Sequence, residues 1–216
     1  MKRLFFVLVV LGMATISHAA TDVTLSNITD SSVTLSWISE GTGTCQVNYG
    51  LSAGSLTSTA YDVRGSKTTG QIHYVSLSNL APVTTYNYQL LSNNKPYQQG
   101  TFTTMAAVIP SGSCLAYGRV CDGHNPAVGA VVCLWLEDGD GNGSQGKSAL
   151  ASCLTDENGY WFYDLINLRT SNNKGLFEFS KSGDGLYLNV SAEKGAELKT
   201  RMDTGACMPA RDLYLK

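Results

Sequence analysis

The chain has 216 residues, of which 43% are hydrophobic and only 15% are charged, with 22 glycines and a formal net charge of −2. This length predicts one or two domains, and many glycines with little charge favour short elements joined by turns over long helices. The slight acidic balance argues against nucleic acid and anionic membranes as partners, because both attract basic surfaces.

The first 20 residues have the features of a secretory signal peptide. Two basic residues precede an apolar run from Leu4 to Met13, and Ala19 and Ala20 supply the small residues of a cleavage site. The run is shorter than the roughly 20 residues that a membrane helix needs. We therefore expect a protein that is secreted or held at the cell surface, or in the periplasm if the cell is Gram-negative, without a transmembrane segment.

Residues 21–106 alternate between apolar and polar side chains, which is typical of half-buried strands. Val33, Leu35 and Trp37 share one face of the first such stretch, and Val47 and Tyr49 share one face of the next. Short intervals rich in Gly, Ser and Asn separate these stretches. The pattern predicts an antiparallel β-sandwich.

The stretch at positions 80–88, "LAPVTTYNY", predicts a tyrosine corner, in which Leu80 fills the core, Pro82 stiffens a crossover and the Tyr86 hydroxyl bonds to upstream backbone. With Trp37, "CQVNYG" and "GTFTT", residues 21–106 resemble a fibronectin type III domain of the kind found at the N-terminus of purple acid phosphatases. The resemblance implies a β-sandwich without an active site, since those phosphatases hold their metal ligands in a separate catalytic domain.

Residues 107–112 have the composition of a linker, and the strand pattern resumes over residues 113–216. Two stretches, "PAVGAVVCL" and "TDENGYWF", resemble the carboxypeptidase regulatory-like and Cna-B or SdrD B-like domains, which are prealbumin-type sandwiches. Residues 170–185 follow no pattern that predicts their fold. The expected fold class is all-β, with two immunoglobulin-like antiparallel β-sandwiches in tandem after a cleaved signal peptide.

The six cysteines predict disulfides, because their number is even and the signal peptide implies an oxidising compartment. Their spacing lacks the paired C-x-x-C clusters of zinc modules. Cys45 stands alone in the first domain, where it is either a buried free thiol or the link in a head-to-tail self-assembly between molecules. We expect two disulfides in the second domain, with the pairs left open among Cys114, Cys121, Cys133, Cys153 and Cys207.

The acidic stretch "EDGDGNGSQG" is a candidate calcium loop, because Asp138, Asp140 and Asn142 place oxygen ligands on alternate residues. Ala149 occupies the position at which an acidic residue closes a twelve-residue calcium loop. An acid from the later turn at positions 156–157 would have to replace it. The alternative is a solvated hairpin loop that binds no ion.

Trp135 is out of phase with its apolar neighbours Leu134 and Leu136, so it is a candidate exposed aromatic that would suit a sugar or a protein. No nucleophile, base and acid converge in the sequence, and no cofactor-binding site is expected besides calcium. The sequence thus favours a non-enzymatic protein used for binding, adhesion or assembly, whose partner is a protein or a carbohydrate at the cell exterior. The alternative is an accessory component of a secreted hydrolase system that acts on phosphate esters or polysaccharides.

Overall fold

The computed structural model describes residues 23–216, so the predicted signal peptide at residues 1–20 lies outside the described residues. The described chain is all-β, as predicted, and adds only three short 3-10 turns (Leu165–Asn167, Glu193–Gly195 and Thr204–Ala206). None of its helices is long and apolar enough to cross a membrane. The strands are β1 (Thr24–Ser26), β2 (Val33–Gly43), β3 (Cys45–Gly50), β4 (Ser58–Tyr61), β5 (Gly70–Leu77), β6 (Thr85–Ser92), β7 (Lys95–Thr103), β8 (Leu115–Asp122), β9 (Asn125–Pro126), β10 (Val131–Glu137), β11 (Ala151–Leu154), β12 (Tyr160–Asp164), β13 (Gly185–Ser191), β14 (Glu197–Asp203) and β15 (Leu213–Tyr214).

The first seven strands form a sandwich of two antiparallel sheets, with strand orders β1-β2-β5 and β4-β3-β6-β7. The apolar residues of the alternating pattern point inward, because successive side chains of a strand lie on opposite faces of the sheet. Val33, Leu35, Trp37 and Val47 are all buried in the shared core. We refer to these strands as the first sandwich.

The predicted tyrosine corner is confirmed at the turn before β6. The Ala81 backbone N–H donates to the Tyr86 hydroxyl at 2.9 Å, and Leu80 is buried in the core below. The Tyr86 ring stacks on Phe102 with ring centroids 5.5 Å apart. The buried Thr104 hydroxyl donates to the Ala81 carbonyl, so the turn is fixed from both sides.

Strands β8 to β15 form a second sandwich, with sheet orders β11-β10-β13-β14 and β12-β8-β15, and β9 paired to β8. Its pairs are antiparallel except that β15 runs parallel to β8, which departs from the predicted antiparallel arrangement. The parallel pair arises because the chain crosses from the end of β14 to the opposite sheet and enters it alongside β8. The fully buried core residues include Leu134, Leu136 and Trp161.

The stretch without a sequence pattern, 170–185, is tied to the second sandwich at both ends. Arg169 and Leu176 form an isolated bridge, and the Phe177 N–H donates to the Leu168 carbonyl at 2.8 Å. The Phe177 side chain is buried in the core. Phe177 therefore anchors a segment that contains no regular strand until β13, and the partly buried Phe179 packs against the same core.

The two sandwiches contact each other through sheet faces. Ile72 and Tyr74 of β5 pack against Val131 of β10 in a small apolar cluster that also touches Cys133 and Leu154. Sheet β1-β2-β5 is therefore buried on both faces at β5, with one face toward its own core and the other toward the second sandwich. This contact was not predicted from the sequence.

Hydrogen bonds surround this apolar contact. The Tyr74 hydroxyl lies 2.9 Å from both the carbonyl and the hydroxyl oxygen of Ser152. The Asn27 amide donates to the Ser152 carbonyl at 2.9 Å and accepts from the Ser152 N–H at 3.0 Å. At the exposed rim, the Gln71 N–H donates to the Glu193 carboxylate at 3.2 Å.

Candidate functional sites

The predicted calcium loop follows β10 and brings acidic oxygens together with one that sequence analysis missed. Carboxylate oxygens of Asp138, Asp140 and Asp184 all lie within 4.8 Å of one another. Asn142 is exposed in the same loop, and its backbone N–H donates to Asp140 at 2.9 Å. This bond is the main reason why the pKa of the solvent-exposed Asp140 carboxyl is lowered.

Asp184 enters the group because β10 and β13 pair with Glu137 opposite Gly185. That register places the residue before β13 beside the loop after β10. Both Asp184 oxygens already accept backbone N–H groups, from Gly139 and from Ser180, each at 2.8 Å. Asp184 thus shapes the loop and also adds a third negative charge, an environment that suits a hard cation such as Ca²⁺.

The later turn at positions 156–157 has a different role from the one suggested by the sequence. The Asp156 carboxylate accepts the backbone N–H groups of Asn158 and Tyr160, each at 2.8 Å. It therefore stabilises the tight turn between β11 and β12. Calcium at Asp138, Asp140 and Asn142 stays a prediction, with Asp184 as the residue best placed to complete it.

A second cluster of metal-type side chains lies buried in the first sandwich, where atoms of Cys45, Asp62 and His73 lie within 4.8 Å of one another. The Asp62 carboxylate is already matched by Arg64, whose guanidinium donates to both carboxylate oxygens at 2.7 and 2.8 Å. The Tyr74 N–H donates to the same carboxylate at 3.0 Å. A cation would therefore have to displace an existing charge partner.

The protonation of this cluster argues against catalysis. Burial, helped by the charge of Asp62, raises the pKa of the Cys45 thiol to about 12, so the nucleophilic thiolate is disfavoured. Burial also lowers the pKa of His73, although Asp62 opposes this shift. His73 Nε2 lies 3.0 Å from the Ser39 hydroxyl. The cluster is best described as a buried carboxylate, Asp62, that is paired with the partly exposed guanidinium of Arg64.

All six cysteines of the chain lie within residues 23–216, where they are free thiols, and the two disulfides expected in the second sandwich stay a prediction. Cys114 and Cys207 share the main core cluster, and Cys121 is buried on β8. Cys133 is opposite Ser152 and Cys153 is opposite Val132. Since neighbouring residues of a strand point to opposite faces, Cys133 and Cys153 are poorly placed to pair with each other.

Trp135 lies on the outer face of its sheet, as its phase suggested, but it is only partly exposed. Its ring stacks on Tyr187 with centroids 5.3 Å apart and an angle of 9°, and its indole N–H donates to Glu137 at 3.0 Å. Arg201 lies over the other ring, 5.5 Å from the Tyr187 centroid. Register places Trp135, Tyr187 and Arg201 side by side across three strands.

The more exposed aromatic surface is on the opposite side of the second sandwich and was missed by sequence analysis. Residues of β8, β12 and β15 that point away from the core form what we call the aromatic face. The sequence signal for this face was the alternation in "LAYGRV" and "YWFYD". Once the inward-pointing residues of these strands are assigned to the core, the remaining alternate positions still include large apolar residues. The aromatic face comprises Leu115 (42% exposed), Tyr117 (38%), Tyr160 (49%), Phe162 (65%) and Tyr214 (56%).

A comparison with known protein families matches the part of the chain that forms the first sandwich. A family profile described as "Purple acid Phosphatase, N-terminal domain" matches residues 20–104. No curated protein sequence matches the chain.

Two solved structures are similar at 11% identity. One is the chicken CNTN1 FN1-FN3 domains (TM-score 0.31, covering 89% of this chain and 65% of that chain). The other is the group B streptococcus pilus 2b backbone protein (TM-score 0.23, covering 92% and 97%). The chain thus spans less than two thirds of the first of these structures.

Proposed function

We propose that the protein is a secreted, non-enzymatic binding protein of the cell exterior, whose second sandwich carries the binding surface. The aromatic face is the observation that carries this proposal. Large contiguous apolar surfaces are uncommon on soluble monomers and mark sites of interaction. Five exposed large apolar residues on three adjoining strands form such a surface.

The first sandwich has a supporting role in this proposal. Its matched profile is that of an N-terminal domain of an enzyme, and its one cluster of nucleophile, histidine and carboxylate is buried with the thiol pKa raised. Its β5 covers part of the second sandwich instead. We infer that it positions the second sandwich and performs no chemistry.

The second sandwich is proposed to be of the carboxypeptidase regulatory-like or Cna-B prealbumin type. The quoted motifs support this, because "PAVGAVVCL" runs from β9 into β10 and "TDENGYWF" spans the turn into β12. The parallel pairing of β15 with β8 gives this half a topology distinct from that of the first sandwich. Secretion is proposed from the signal sequence alone.

Retention on cell-envelope material tests the proposal. The mature chain should be retained by envelope preparations of the source cell, and a Tyr117→Ser, Phe162→Ser double variant should lose retention. Leu51→Ser is the matched control, because Leu51 is 68% exposed in the first sandwich, away from the face. Equal retention of all three proteins would contradict the proposal, and reproducible turnover in a hydrolase screen would favour the enzyme-accessory alternative.

A further inference from the structure

We propose that the aromatic face binds a neutral polysaccharide by stacking sugar rings on Tyr117, Tyr160 and Phe162. This inference rests on the proposed function and names the ligand class of the same surface. It is carried by the arrangement of the rings, the charge of the face and its area.

The three rings are on neighbouring positions of one sheet face. Tyr117 of β8 is directly opposite Phe162 of β12, which places their Cβ atoms about 5 Å apart. Tyr160 precedes Phe162 by two residues on the same face of β12, about 7 Å away. Rings at such separations can contact one sugar or two successive sugars of a chain.

Inward contacts hold these strand positions in place. Trp161, between Tyr160 and Phe162, is fully buried in the core. Gly118, its register partner on β8, leaves no room for a side chain, because an added Cβ would lie 2.9 Å from the Ala210 side chain and 3.1 Å from the Trp161 indole nitrogen. Contacts with the core therefore fix the strands that carry the exposed rings. Little backbone conformational entropy is then lost when a ligand binds.

The two charged side chains of this face that are in register with β12 residues or belong to β12, Arg119 and Asp164, already have partners. Arg119 Nε donates to the Asn158 carbonyl at 3.0 Å, and its guanidinium lies 5.9 Å from the Tyr160 ring centroid. The Asp164 carboxylate accepts the Ser113 hydroxyl and the Cys114 N–H, at 2.8 and 2.7 Å. A ligand with little charge of its own matches such a surface better than an acidic or basic polymer does.

The area of the face favours a narrow ligand over a second copy of this chain. Half-exposed side chains from a set that buries about 200 Å² each give an apolar surface on the order of 500 Å². That is within the range of functional patches on monomers, but it is below the roughly 800 Å² per partner of a stable protein interface. One strip of a polysaccharide chain needs no larger surface.

Sugar chemistry fits the remaining features. The C–H faces of a pyranose ring are apolar and pack on aromatic rings, while its hydroxyls hydrogen bond at the ring edges. Tyr117, Tyr160 and Tyr214 each supply a hydroxyl that both donates and accepts. Stacking supplies the affinity, and the tyrosine hydroxyls select among sugars.

Affinity gel electrophoresis of the mature chain tests the proposal with cellulose derivatives, mixed-linkage β-glucan, starch and soluble chitin, and with alginate as the acidic polymer. At least one neutral polysaccharide should retard migration, and retention on the insoluble form should survive 1 M salt. Phe162→Ala and Tyr117→Ala should each weaken binding at least tenfold. Phe162→Trp should restore binding, and Leu51→Ala should change nothing.

The proposal would be overturned by no retardation with any neutral polysaccharide, by retardation that Phe162→Ala leaves unchanged, or by binding only to alginate at low salt. A dimer in sedimentation that Phe162→Ala dissociates would assign the face to a second copy and would also overturn it. If envelope retention depends on Phe162 while no neutral polysaccharide binds, only the ligand class is wrong. If neither depends on Phe162, the proposed function fails as well.

Discussion

The two outer faces of the second sandwich both carry large apolar side chains, but the first sandwich covers only one of them. On one face, Val131 and Cys133 are covered by the first sandwich, and Trp135 beyond them is stacked on Tyr187. On the other, Phe162 and its neighbours are left open within the described residues. Within the described residues, the first sandwich covers one of these faces and leaves the other open, and in our proposal the open face binds a partner outside the chain.

The largest expected effect is at the centre of the covered face. Tyr74→Ala removes a buried ring and its hydroxyl bonds to Ser152, and should lower the free energy of unfolding by about 3 to 5 kcal/mol, the range for emptying a buried aromatic site. Phe162→Ala on the open face should change it by less than about 0.5 kcal/mol. Urea unfolding of the full chain measures both, and equal losses would remove the distinction between the faces.

The second effect is at the stacked pair beyond the covered region. Trp135→Ala should lower the free energy of unfolding by about 1 kcal/mol, because it removes an aromatic stack that is only partly buried. Trp135→Phe should keep most of the stability, since it retains the ring contact with Tyr187. A loss as large as that of Tyr74→Ala would show that the covered region extends over Trp135.

Calcium is expected to stabilise the acidic loop that follows β10, at one end of the covered sheet. If Asp138, Asp140 and Asp184 bind calcium with a dissociation constant of about 1 mM, calcium at about 5 mM should stabilise the chain by about 1 kcal/mol. EDTA should reverse this gain, and Asp184→Asn should abolish it. Glu157→Gln is the control, because Glu157 is exposed on the separate turn into β12. Melting curves that calcium does not change would leave a solvated loop.

The rim of the covered face should contribute least. Glu193→Ala removes an exposed acceptor for the Gln71 N–H and should lower the free energy of unfolding by about 0.5 kcal/mol. Glu197→Ala, at an exposed position of β14, is the matched control and should have no effect. A loss several times larger would mean that the two sandwiches are held together mainly at their rim.

No covalent assembly is expected through the first sandwich. Cys45 is only 4% exposed, and its raised pKa disfavours the reactive thiolate. Non-reducing electrophoresis of protein from its native compartment should give a monomer band, and maleimide should label Cys45 only after unfolding. A ladder that reductant and Cys45→Ser both remove would support the head-to-tail alternative. Alkylation of the unfolded, unreduced chain should also count the predicted disulfides of the second domain.

Sequence reasoning succeeded where the relevant contacts are local. Trp37, Leu80 and Tyr86 lie within patterns only a few residues long, so alternation and turn chemistry were enough to place them in the core. It failed where strands distant in sequence meet. Asp184 joins the acidic loop only through the β10–β13 register, and no local pattern contains that register.

The contact between the sandwiches was missed for a related reason. Alternation assigns one face of β5 to the core through His73, Val75 and Leu77, and treats Ile72 and Tyr74 as the outer set. The available signal was that this outer set is also apolar, which indicates a strand buried on both faces. It could not reveal which surface covers it. The open face had a similar signal in Tyr160 and Phe162, which flank the inward Trp161.

The side chain of Asn27 has a consequence for aggregation. Strand β11 is at the edge of its sheet, and an edge strand offers free N–H and carbonyl groups to any other strand that approaches it. The Asn27 amide occupies both groups of Ser152, and the Asn27 N–H occupies the Leu150 carbonyl. The first sandwich thus blocks the free edge of the sheet in the second sandwich. A chain cut between the two sandwiches would expose β11 as a template for intermolecular strand pairing.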